Sequence, residues 1–242
     1  MKPQRLDKVI SHLQCQTRKE VTRLIKSGWV EVGGETIRQP AYKFDPTETT
    51  VSINGQPLIW QKHFHVMIHK PQGCVCANSD PRELVVVDLV PPELYRPEFS
   101  IVGRLDKNTE GLLLLTTDGT LLHRLTHPRW HLRKRYYVEL ENPVTSQDVE
   151  AFAKEMTVEG ETWKPAELIP KEDPQQVELI VYEGKFHQVK RMFAARGNQV
   201  TYLKRIQMGP VELDPELEVG EVRSLYPEEV KALYESVGLE PE

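Results

Sequence analysis

Four short apolar runs, each closed by a turn, limit what this chain can fold into. Residues 66–69 precede Lys70-Pro71-Gln72-Gly73, residues 112–117 precede Asp118-Gly119, residues 136–140 precede Asn142-Pro143, and residues 177–181 precede Glu183-Gly184. Runs this short, ended by residues that favour turns, read as strands. Helical patterns fall near residues 120–126, 146–155 and 188–196, at irregular intervals among them. Strand and helix do not alternate regularly. The expectation is therefore an α+β fold with a mixed, largely antiparallel sheet.

The first 59 residues have a different character and read as a small α/β module before a larger body over residues 60–242. Leu6, Val9, Ile10 and Leu13 recur at helical spacing, and Thr17-Arg18-Lys19-Glu20 is a capping box that opens a second helix. Val21, Leu24 and Ile25 mark its buried stripe, while Lys19, Arg23 and Lys26 share another face. Gly28 is placed to stop the helix, and Trp29-Val30-Glu31-Val32 followed by Gly33-Gly34 reads as a hairpin. A basic helix face beside a hairpin suits RNA phosphates; the same stripe also fits a solvated helix face.

The overall charge of −5 speaks against a polyanionic partner until its distribution is considered. Residues 210–242 hold ten acids against two bases, which leaves a net +3 for residues 1–209. Local field matters more to a polyanion than the sum over the chain. Three cysteines do not make a disulfide framework and suit a reducing cytosol. No segment is apolar over the length a membrane span needs, and the N-terminus lacks the apolar core of a secretory signal. With no dimer seam visible, a cytoplasmic monomer is expected.

Between two apolar runs lies Gly103-Arg104-Leu105-Asp106-Lys107-Asn108-Thr109-Glu110-Gly111, a charged loop bracketed by glycines. Loops held by buried strands carry function more often than packing. Asp106 is a nucleophile candidate there, although spacing alone favours a residue that caps a turn. Residues 103–119 resemble the signature of the pseudouridine synthases that modify single uridines in ribosomal RNA. Lys134-Arg135-Tyr136 resembles that family's Lys-x-Tyr element, and residues 183–193 resemble its late basic motif. Within the family, His187-Gln188-Val189-Lys190-Arg191-Met192-Phe193 and residues 204–210 are most similar to members acting on the small ribosomal subunit. Arg5-Leu6-Asp7 and residues 28–32 resemble the alpha-L RNA-binding domain at the N-terminus of these enzymes, with Gly33-Gly34 where Asn-Gly is usual.

The resemblance implies isomerisation of uridine to pseudouridine in ribosomal RNA, most closely on the 16S species. The base leaves the ribose through nitrogen and rejoins it through carbon 5, so the chemistry itself calls for no cofactor and no metal. It does call for a carboxylate that attacks covalently or steadies transient charge. That role falls by resemblance to Asp106, and Lys190 stands where the family places a basic partner, often arginine. A carboxylate in a partly dry pocket needs such a partner, or it takes up a proton. Tyr136 would stack on the uracil and Phe193 would form an apolar pocket wall. Arg104 would fill the space vacated by the flipped base or grip a phosphate, and Lys134 would bind substrate.

A basic cluster, Arg124, His127, Arg129, His131, Arg133, Lys134 and Arg135 with Trp130 among them, would line the RNA approach. Arg5, Arg18, Lys19, Arg23 and Lys26 would contact RNA from the N-terminal module. Cys74-Val75-Cys76 has too few companions for a zinc site. Asp118-Gly119 reads as a turn, which removes the second carboxylate a glycosidase needs. Lys70-Pro71 lacks a glycine-rich phosphate loop, so an ATPase is unsupported. Two alternatives stay open: the same chemistry on a 23S uridine, and a non-catalytic factor that binds ribosomal RNA during assembly.

Overall fold

The computed structural model describes residues 2–240 and divides into two compact units, residues 1–63 and residues 64–242. In the first unit, helices Leu6–Gln14 and Arg18–Lys26 pack Leu6, Val9, Ile10, Val21 and Ile25 against a four-stranded antiparallel sheet. The capping box forms: the Thr17 hydroxyl accepts from the Glu20 amide at 3.3 Å, and the Glu20 carboxylate accepts from the Thr17 amide at 2.9 Å. The second helix ends before Gly28, whose φ of +83° only glycine adopts freely. Arg38 lies against that glycine and donates to the Lys26 carbonyl at 3.0 Å. Gly33 and Gly34 both have positive φ, as the tight hairpin between Val30–Val32 and Glu35–Thr36 requires. A second such turn, Asn54-Gly55, joins Val51–Ile53 to Gln56–Leu58. Trp60 packs on His12, and the Gln61 carbonyl contacts its ring, so the connecting residues belong to this unit.

The second unit is built on a nine-stranded sheet. Its main path runs Glu167–Pro170, Gln176–Val181, Lys134–Leu140, Val200–Met208, Glu110–Thr116, His65–Lys70, Val222–Ser224. All neighbours are antiparallel except Val200–Met208 beside Glu110–Thr116. The sheet is thus mixed and mostly antiparallel, and the fold is α+β.

The leucine run 112–115 is explained by burial on both faces. Leu113 and Leu115 join one core with Val66, Ile68, Val138, Phe152 and Met192, whereas Leu112 and Leu114 join another with Met67, Leu121 and Leu233. Helices Ser146–Phe152 and Gln188–Ala195 contribute to the first core, and Gly119–Thr126 and Pro227–Ser236 to the second. A strand buried on both sides reads as a continuous apolar run rather than an alternation.

Three features go beyond the sequence reading. Val200–Met208, nine residues long, is a central strand that Lys204, Arg205 and Gln207 disguise. The acidic C-terminal segment is not a loose tail. Its Val222–Ser224 strand extends the sheet, and its helix is anchored by Tyr234, which donates to Asp118 at 2.6 Å. Arg223 neutralises part of that acidity, pairing with Asp214 at 2.6 Å and Glu229 at 2.8 Å. Asp118 caps the Gly119–Thr126 helix, accepting from the amides of Thr120 and Leu121 at 2.7 and 3.1 Å.

Gly111 is where the parallel pair closes on itself. Its φ is +113°, and a Cβ there would lie 2.2 Å from the Arg205 carbonyl oxygen. Gly111→Ala is expected to destabilise the protein by about 3 kcal/mol, combining backbone strain with overpacking against main chain. Urea unfolding of the variant checks this; a midpoint equal to wild type would contradict the close approach.

Candidate active site

Asp106 sits on the loop between the paired strands Ser100–Val102 and Glu110–Thr116. A turn inside the loop, with the Thr109 amide donating to the Asp106 carbonyl at 3.0 Å, fixes its backbone. Beneath it lies Lys70, the last residue of strand His65–Lys70 and wholly buried. Its ammonium donates to four carbonyls: Pro71 and Thr109 at 2.9 Å, Asp106 at 3.2 Å and Lys107 at 3.3 Å. An ammonium has three N–H groups, so the two longer contacts share one. Burial weakens the Lys70 hold on its proton; the neighbouring Cys76, Cys74 and Asp106 act the other way. The Leu105 amide donates to Cys76 Sγ at 3.3 Å, and the Gly73 amide to the Lys107 carbonyl at 2.8 Å. The loop is therefore held at both ends and from below.

Above the loop, Asp106 faces the start of helix Gln188–Ala195. Lys190 Nζ lies 3.9 Å from Asp106 Oδ2, and His187 Nε2 lies 3.5 Å from Oδ1. Both side chains stand farther off than a tight ion pair, so the carboxylate is flanked without being locked. Arg104, Asp106, Lys134, Tyr136, His187 and Lys190 line one cavity of about 180 Å³.

Period-two geometry explains the floor of that cavity. Lys134 and Tyr136, two apart on strand Lys134–Leu140, both line the cavity. Arg135, between them, is spent on Glu178, which Lys171 also contacts at 2.7 Å. Burial pushes the Lys134 ammonium down to about 8, helped by the buried Arg205 and opposed by Glu183. Arg205 Nε donates to the Leu112 carbonyl at 2.8 Å. Lys134 and Arg205 line the same cavity as Asp106, and Lys70 lies against the Asp106 main-chain carbonyl.

The structure redistributes several expected site residues. Phe193 is not a pocket wall: it is 1% exposed and packs its ring on Phe152 at 4.9 Å in the core. Val189, Leu203 and Met208 supply apolar lining instead. Arg124 lies over Trp130 at 4.9 Å and donates to the carbonyls of Val237 and Gly238. That pair, like Arg135, serves packing. Arg129 and Arg133 are exposed beside the cavity-lining residues His127, Pro128 and Leu132. In the first unit Arg18, Lys19, Arg23 and Lys26 are exposed, whereas Arg5 pairs with Asp7 at 2.6 Å and has less charge to offer a phosphate. Sequence reasoning missed Lys70. Its only signal was a lysine ending an apolar strand, which reads as a strand terminus.

Residues 64–195 match the RNA pseudouridylate synthase family, and residues 4–49 match the S4 domain. The chain is 41% identical over 235 residues to an RNA pseudouridine synthase of Bacillus subtilis, covering 96% of this chain and 98% of the relative. It is 42% identical over 233 residues to ribosomal small subunit pseudouridine synthase A of Escherichia coli, covering 95% and 99%. A crystal structure of a pseudouridylate synthase is similar with a TM-score of 0.66 at 37% identity, covering 95% of this chain and 99% of that one.

The Lys134 environment sets a pH dependence whose sign is fixed. Its folded value, about 8, lies below the ordinary 10.5, so between those pH values the unfolded chain binds more protons at this site. Stability from this group therefore rises with pH across that window. Unfolding free energies of wild type and Lys134→Met, measured from pH 7.5 to 10.5, are expected to differ by an amount that shifts in favour of wild type as pH rises. A difference independent of pH would contradict the assigned environment.

Proposed function

The chain belongs to the RNA pseudouridylate synthase family, and from that premise we propose that it isomerises one uridine of small-subunit (16S) ribosomal RNA with Asp106 as the essential carboxylate. The observation that carries the reading is the convergence of Asp106, Tyr136 and Lys190 on one cavity. The small-subunit target is supported by the near full-length likeness to the Escherichia coli enzyme.

The reaction breaks the bond from uracil N1 to ribose C1′ and forms one from C5 to C1′. The C5 proton leaves to solvent and N1 gains one, so the balance closes without a cofactor. Asp106 provides the negative charge that the electron-poor sugar or base demands, with Lys190 and His187 3.9 and 3.5 Å from its oxygens. Tyr136 stacks on the uracil and helps move the C5 proton. Lys134 and Arg104 hold substrate phosphate or fill the place of the flipped base. Extracting a base from its stack costs a few kcal/mol, which contacts to the flanking RNA must offset.

Affinity comes in part from the S4 domain, through phosphate contacts by Arg18, Lys19, Arg23 and Lys26, while the larger unit supplies chemistry. The protein works as a monomer in the cytosol; no helix among the described residues is long and apolar enough to cross a membrane.

Mapping pseudouridines in ribosomal RNA tests the target. A strain lacking the gene is expected to lose a single small-subunit pseudouridine, restored by wild type and not by Asp106→Asn. Loss confined to large-subunit RNA would move the target, and restoration by Asp106→Asn would overturn the mechanism. Changing Arg18, Lys19, Arg23 and Lys26 together to Gln is expected to make the slope of log affinity against log salt shallower by about 3 to 4. An unchanged slope in a filter-binding series would remove these residues from the interface.

A further inference from the structure

Phe186 is 70% exposed, more than any other large apolar side chain described in the second unit. Single exposed apolar residues are ordinary, but this one is neither loosely held nor remote. Its ring stacks on His187 with centroids 3.8 Å apart and planes 19° apart. His187 in turn touches Asp106. The Phe186 ring therefore lies one stacked layer outward from a group in contact with the proposed catalytic carboxylate.

The loop that presents the ring is fixed from several sides. Arg191 donates to the Phe186 carbonyl at 3.3 Å and is itself held by Glu159 at 2.6 Å and packed over Trp163 at 4.8 Å. Lys185 Nζ donates to the Thr162 carbonyl at 2.7 Å, and the Lys185 amide to buried Gln188 at 3.2 Å. Gln188 also reaches Glu183 at 2.9 Å. His187 has φ +50°, a left-handed conformation that costs a residue with a side chain roughly 1 kcal/mol or more. Strain and bracing spent on turning an apolar ring to solvent have no packing purpose. A fixed ring loses little freedom when it binds, which favours it as a docking surface.

We propose that the Phe186–His187 stack is a platform for the nucleobase next to the target uridine, resting on the reading of this chain as a ribosomal RNA pseudouridine synthase. When the uridine enters the cavity its neighbour loses a stacking partner. The free face of Phe186 replaces it. Because every base has a π-face and phenylalanine has no hydrogen-bonding group, the platform senses that a base is present and not which base it is.

The test uses the full chain and whichever ribosomal RNA transcript or particle wild type turns over, followed by tritium release from C5-labelled uridine. Phe186→Ala is expected to raise KM on the order of 5- to 100-fold, the range of base–aromatic stacking, with a much smaller change in kcat. Phe186→Trp should restore KM and Phe186→Leu should not. An abasic nucleotide on one side of the target should raise KM for wild type by a similar factor and add nothing to Phe186→Ala. Exchanging that base for another should have little effect. Unchanged KM in Phe186→Ala, equal rescue by Leu and Trp, or additive abasic and Ala penalties on both sides would each overturn the platform. Wild type without tritium release on any ribosomal substrate fails the underlying reading and the platform with it; release with an unaltered Phe186→Ala fails the platform alone.

Discussion

The Lys70 ammonium, buried beneath the Asp106 loop, is the contact on which the rest of the site depends. Buried carbonyl groups without donors cost on the order of 1–3 kcal/mol each, and a buried ammonium without acceptors costs more. Here the Lys70 charge is distributed over four oxygens, adding to the amide donors that the Asp106 and Lys107 carbonyls already have from Thr109 and Gly73. The arrangement works only if the loop keeps one shape. Lys70 thus holds the main chain of Asp106 in place without touching its carboxylate.

Charge is then layered around that carboxylate. Lys134 and Arg205 line the same cavity, while Lys190 and His187 stand 3.9 and 3.5 Å from the carboxylate oxygens. Had these partners closed to the 2.6–2.8 Å seen for Arg223 with Asp214 and Glu229, the anion would be consumed by its own ion pair. Flanking at longer range leaves the oxygens open to substrate. Gly111 lets the main chain of Arg205 approach closely, which draws strand Val200–Met208 against the strand that follows the Asp106 loop. The same logic separates neighbours in sequence: Lys134 and Tyr136 line the cavity, and Arg135 pairs with Glu178.

Much of this was legible in the sequence because local rules and tertiary demands agreed. Thr17-Glu20 capped a helix, Gly33-Gly34 turned a hairpin, and the short apolar runs became strands of a mostly antiparallel sheet. Asp106 and Lys190 could be named, but only the fold brings them within 4 Å. What escaped were residues whose role is set by partners distant in sequence. Lys70 and Arg205 are charged yet buried, so polarity hid them. The strand Val200–Met208 was masked by its charges, and the strand and helix of the C-terminal segment by its run of acids. Phe193 erred the other way: an aromatic in a functional motif proved to be core, while its neighbour Phe186 faces solvent.

The central claim is that Asp106 drives exchange of a nitrogen–sugar bond for a carbon–sugar bond in a ribosomal uridine. Tritium release from small-subunit ribosomal RNA labelled at uridine C5, offered both as naked transcript and as assembled particle, tests it most directly. That hydrogen must leave when the new bond forms. The account predicts about one equivalent released per RNA by wild type and none by Asp106→Asn at equal RNA occupancy. Release undiminished by Asp106→Asn, or no release by wild type from any ribosomal RNA, would contradict it.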